Sequence, residues 1–179
     1  FFQDYGSTRE ILCAGEFGVV IELGKLKAKN AMEGWLQHLN VCAHGKAPAG
    51  TLVIARSSSR SKRDEFEIAL KWNPVPASQA KHELENLKAM ASFGLENCWP
   101  VPPESGWAFA KASKKGPENA KKSFQQNWDG IFNKKGEREA PEMQICFGSK
   151  FEAKNFFENN HFNESFLKLY GLLLEFLTK

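Results

Sequence analysis

The stretch TLVIARSSSRSKRDEFEIALKW, Thr51 to Trp72, decides how the chain is read. Its two ends, Thr51 to Arg56 and Glu65 to Trp72, are short, apolar and β-rich, and the polar link between them carries no apolar residue. That pattern predicts an antiparallel pair of strands, ended by Pro74 and Pro76.

Upstream, Leu26, Met32, Trp35, Leu36, Leu39 and Cys42 recur at steps of three and four, which predicts a helix over about 26–43 stopped by Gly45 and Pro48. Before it, Arg9 to Glu22 holds two β-rich runs around Gly15 to Gly18 and predicts a hairpin with Glu16 and Phe17 at its tip. Downstream, Ser78 can cap a helix that reaches Phe93 and ends at Gly94. Pro117 suits a first helical turn, with a short basic helix from Ala120 to Trp128. EMQICFG, Glu142 to Gly148, alternates like a strand, and Phe162 to Leu177 is apolar at helical spacing. The order strand, helix, strand, strand, helix predicts a mixed α and β fold, strands early and helices late.

With 179 residues, 42% of them hydrophobic and 25% charged, the chain is long enough for one sizeable core, and the expectation is a single domain over 1–179. The start Phe1-Phe2-Gln3 lacks an initiator methionine, and the expectation is a C-terminal fragment of a longer subunit. No apolar run is long enough for a membrane span. The net charge of +3, from 24 basic and 21 acidic residues, is too small to argue nucleic-acid binding by itself. Cys13, Cys42, Cys98 and Cys146 form no CxxC pair and have no histidine at ligand spacing, which points to reduced thiols and away from a zinc site or a disulfide scaffold.

No histidine sits in a catalytic setting, and there is no GxSxG or phosphate-cradling glycine loop. Pro141-Glu142 followed by Glu152-Ala153-Lys154 has the shape of the PD-(D/E)XK nuclease signature. That chemistry needs two carboxylates on a divalent metal and a lysine beside the attacking water, all fixed on adjoining strands. The segment around Glu152 and Lys154 lacks strand alternation, so a loop or helical turn with solvated charges is expected there. A second near-match, Glu22-Leu23-Gly24-Lys25, follows an apolar strand but has one residue too many, which turns the lysine to the opposite face.

Basic clusters remain. Lys25, Lys27 and Lys29 flank a helix start; Arg56, Arg60, Lys62 and Arg63 lie on or beside the strand link; Lys111, Lys114, Lys115, Lys121 and Lys122 follow Trp107. Of these, Arg60, Lys62, Arg63, Lys114, Lys115, Lys121 and Lys122 are candidates for phosphate or partner contact, and Trp107 for stacking or burial. Trp35, Trp72 and Trp128 are read as core or interface anchors.

The blocks KLKAKNAMEGWLQHL, SGWAFAKA, QNWDG and KGEREAPEMQICFG, in this order and at these separations, resemble the C-terminal region of RecC, the gamma subunit of exodeoxyribonuclease V. The resemblance runs from Lys25 to Phe147. It implies a PD-(D/E)XK nuclease-like core that has lost its metal ligands, with additional C-terminal helices and no catalytic residue. It further implies a cytoplasmic complex with RecB and RecD that processes double-stranded DNA ends for repair and recombination. In that complex ATP and Mg2+ serve other subunits, and this domain, needing no cofactor, supports assembly and guides or separates the strands. The alternative reading is an active metal-dependent nuclease using Glu142, Glu152 and Lys154.

Overall fold

The computed structural model describes residues 12–46, 49–59, 61, 64–97, 99, 101–132, 134–158 and 160–178. Along the chain run β1 (Leu12–Ala14), β2 (Phe17–Lys25), α1 (Ala28–Ala43), β3 (Thr51–Arg56), β4 (Phe66–Trp72), α2 (Ala77–Glu96), α3 (Pro103–Ser113) and α4 (Pro117–Asp129). There follow β5 (Gly130–Ile131), β6 (Lys134–Lys135), a 3-10 turn (Glu137–Glu139), α5 (Pro141–Phe147), α6 (Ala153–Glu158), α7 (Asn160–Phe176) and β7 (Leu177–Thr178). The fold is mixed α and β, and it divides into two compact units, one reaching to Phe93 and including the segment from Glu175, the other Gly94–Leu174.

The first unit is a five-stranded sheet in the order β1-β2-β3-β4-β7. β1 and β2 form the expected hairpin, with Leu12 opposite Val19 and Ala14 opposite Phe17. Its two-residue tip is Gly15-Glu16, one position earlier than the pattern predicts, because Gly15 takes the positive φ of 62° that the turn requires. β3 lies parallel to β2 through the α1 crossover, and β4 antiparallel to β3.

Helix α1 comes close to the sheet at Gly34, where a Cβ would stand 3.3 Å from both Val53 and Trp72 side chains. Around that point Trp35, Leu39, Val53, Ala55 and Trp72 are fully buried. His38 stacks on Trp72 at 5.7 Å and lies 5.1 Å from Trp35, its Nδ1 2.9 Å from the Thr51 hydroxyl.

Two helices differ from expectation at their ends. Helix α2 begins at Ala77, with the Ala80 N–H donating to the Pro76 carbonyl, so Ser78 sits inside the first turn, and the helix runs through Gly94. The C-terminal helix stops at Phe176, and Leu177 and Thr178 become an edge strand opposite Trp72 and Lys71. The Asn73 N–H donates to the Phe176 carbonyl and the Thr178 hydroxyl to the Lys71 carbonyl. The open edge of β4 supplies these partners, and no local periodicity announces them.

The second unit is helical around an aromatic core. Phe124 and Trp128 of α4, Phe156 of α6 and Phe162 of α7 are buried, with Phe124 and Trp128 5.0 Å and 4.9 Å from Phe156. Pro103 and Pro117 open α3 and α4, the latter as expected. The predicted strand at Glu142 to Gly148 is instead helix α5: Pro141 occupies its first turn, and Phe147 packs edge-on against Trp128 at 5.7 Å. The carboxylate of Glu137 reaches the start of α3, accepting the Glu104 N–H at 2.9 Å and the Ser105 N–H at 2.6 Å. It caps the helix from 33 residues away along the chain.

Candidate functional site

Strand β2 carries the near-match Glu22 to Lys25, and its geometry is set by an irregularity. Glu22 stands opposite Ala55 and Lys25 opposite Arg56, so the intervening residues bulge out of the ladder. Neighbouring β3 positions point to opposite faces, and Glu22 and Lys25 do so too, as strand alternation predicts. Glu22 is on the α1 side. One of its carboxylate oxygens accepts the Gly24 N–H at 2.9 Å inside the bulge, and the other accepts the Asn30 amide at 2.5 Å. Asn30 in turn accepts the Lys27 N–H at 3.2 Å, so its side chain caps the first turn of α1. Both oxygens of Glu22 are thereby engaged, one inside the bulge and the other in joining the strand end to the helix start.

The other signature residues are not brought onto adjoining strands. Glu142 is exposed on α5, Glu152 precedes α6, and Lys154 lies in its first turn. Glu152 and Lys154 pair with each other at 2.8 Å on the surface, the lysine holding the carboxyl below its ordinary range. Among the described residues no three His, Cys, Asp or Glu side chains are grouped to hold a metal ion. No described helix is long and apolar enough to cross a membrane.

Of the basic candidates, Arg60, Lys62 and Arg63 lie outside the described residues. Lys114 and Lys115 are exposed in the turn after α3. Lys121 and Lys122 are exposed on α4 and, with Lys154 and Phe157, line a shallow depression of about 280 Å3. Within it Lys121 stands 3.6 Å from Glu118, and Lys154 is paired as above. Trp107 is 2% exposed, with Tyr170 5.9 Å from its ring and the Lys111 amine 5.7 Å above it, so it is a core anchor whose ring is not open to a base.

Phe132 is a surface feature the sequence pattern did not single out. It sits fully exposed at the tip of the β5–β6 hairpin in the left-handed region at φ 52°, followed by exposed Lys134 and Lys135. Gly130 and Gly136 close that hairpin, since a Cβ on the first would collide with the Lys134 carbonyl and a Cβ on the second with the Trp128 carbonyl. The glycines that bracket GIFNKKG were the available signal.

A family model described as the RecC C-terminal domain matches residues 8–114. The chain belongs to that family. The match takes in β1 through α3, including the bulged strand and the α1 crossover, and stops before Glu142, Glu152 and Lys154. It begins upstream of Lys25, where the block resemblance starts, and ends upstream of Phe147. No curated protein matches the chain.

Proposed function

We propose that this domain is a non-catalytic, PD-(D/E)XK-like scaffold that supports assembly of the cytoplasmic exodeoxyribonuclease V complex with RecB and RecD. In that complex it guides or separates DNA strands at double-stranded ends during repair and recombination. The observation that carries the reading is the use made of Glu22. In a working site of this type a strand carboxylate and a lysine must face one metal-bound water together. Here the carboxylate ties β2 to the start of α1, and Lys25 points from the other face of the sheet. The family match over this segment supports the same conclusion. ATP and Mg2+ then act in other subunits, and the exposed lysines after α3 and on α4 serve strands or partners through charge alone.

The test is co-purification of the chain with RecB and with RecD, with and without a forked duplex. Retention by either subunit, without Mg2+-stimulated cleavage by the chain itself, is the expected result. Metal-stimulated cleavage abolished by Glu152→Ala and Lys154→Ala overturns it in favour of the nuclease reading. Failure to associate with both subunits and with the fork overturns the scaffold role.

A further inference from the structure

The sheet of the first unit has two faces of different character. Thr51, Val53 and Ala55 are buried on the α1 side, and the alternate residues point away. On that other face Ile21, Ile54 and Ile68 stand in register across β2, β3 and β4, and the next row is Lys25, Arg56 and Phe66. Ile21 is 51% exposed, Ile68 60% and Phe66 49%. Lys25 and Arg56 are exposed side by side, with no ion pair to either among the described residues. By register, no acidic residue occupies this face of β2, β3 or β4. Like charges at directly paired positions repel, so the Lys25–Arg56 pair favours an acidic neighbour.

We propose that this face docks an amphipathic helix of a partner protein, whose apolar stripe lies on the three isoleucines and whose flanking Asp or Glu side chains meet Lys25 and Arg56. The inference deepens the assembly reading above by naming a surface and the chemistry it takes. The charge pattern selects the occupant. A second copy related by a two-fold axis along the strands sets the Lys25–Arg56 row against itself; an axis across the strands sets it against Lys71, which shares the face through its pairing with Leu52. A nucleic-acid backbone satisfies the two cations but leaves the isoleucine row in water. An acid-flanked apolar helix satisfies both rows.

The probes are two synthetic amphipathic helices of about five turns with the same leucine stripe, one flanked by glutamate and one by lysine. Titrated against the full chain, the glutamate peptide binds at least about tenfold more tightly. The variant Lys25→Glu with Arg56→Glu reverses that preference, and Ile68→Asp abolishes binding of both; these exposed substitutions leave the circular dichroism spectrum and melting midpoint in place. Equal affinity for the two peptides overturns the proposal, as does binding that survives Ile68→Asp. So does a dimer of the chain that Ile68→Asp converts to monomer, which assigns the face to self-association. Loss of the peptide preference while RecB or RecD still co-purifies removes this surface and leaves the assembly role; intact preference without co-purification does the reverse.

Discussion

Lowering the pH should destabilise the first unit through one side chain, His38. It is wholly buried between Trp35 and Trp72. A neutral ring satisfies its surroundings, with the Thr51 hydroxyl at Nδ1 and a hydrogen bond to the Asn73 backbone. A charged ring has no described carboxylate as a hydrogen-bond partner, and burial lowers its pKa from an ordinary 6.5 to about 4. Between those values the unfolded chain binds the proton and the folded chain does not. Stability associated with His38 is therefore complete above 6.5, declines as the pH falls, and is lost at about 4. The full loss is about 3 kcal/mol, a large part of a typical domain's stability. Glu83 and Glu137, held above the carboxylate range by burial, act in the opposite sense over part of the same window, because the folded chain binds their protons first. The measurement is consequently a comparison: urea unfolding of wild type and His38→Gln at a series of pH values from about 7 to about 4. The wild type should lose about 3 kcal/mol more than the variant across that range, and the imidazole signal of His38 in the NMR spectrum should stay fixed until the pH approaches 4. Parallel stability curves, or a His38 signal that titrates near 6.5, refute the reasoning.

Three further outcomes are expected. Glu137→Ala removes the acceptor of two N–H groups at the start of α3 and should cost about 1–2 kcal/mol in thermal unfolding, with Glu137→Gln intermediate; an unchanged midpoint would remove the capping role. Gly34→Val forces side-chain atoms against Trp72 and Val53 and should destabilise by about 1–3 kcal/mol, read from the urea midpoint. Alanine at Lys114, Lys115, Lys121 and Lys122 together should weaken DNA binding alike for all sequences and flatten its salt dependence by about one unit for each phosphate that is no longer neutralised; no change in slope would leave these lysines as a solvated face.

Elements whose cause is local were legible in the sequence. The spacing of Trp35, Leu39 and Cys42 marked α1, and the runs at Thr51 and Glu65 marked β3 and β4, because each segment buries one face and its pattern records which. Helix α5 was misread because Glu142 to Phe147 alternates with period two over a length too short to distinguish strand from helix, and the proline before it was the better signal. Strand β7 and the Glu137 cap were out of reach, since both depend on partners brought from distant parts of the chain. Phe132 was missed for a different reason: a lone aromatic in a polar stretch reads as core, and only the hairpin closed by Gly130 and Gly136 puts it in solvent.

The Glu22 segment joins the two kinds of information. From spacing alone, Lys25 falls on the wrong face for a metal site, and the ladder register bears this out. What spacing does not disclose is that the bulge brings the Gly24 N–H onto the Glu22 carboxylate, or that Asn30 bridges the same carboxylate to the Lys27 N–H. The bulge also decides what Lys25 does, because it sets that residue in register with Arg56 and beside the isoleucine row. One irregularity in β2 thus occupies the Glu22 carboxylate on the α1 side and sets the Lys25 cation beside Arg56 on the open side. The same backbone that argues against metal chemistry at this strand builds the basic edge of a surface suited to an acidic partner.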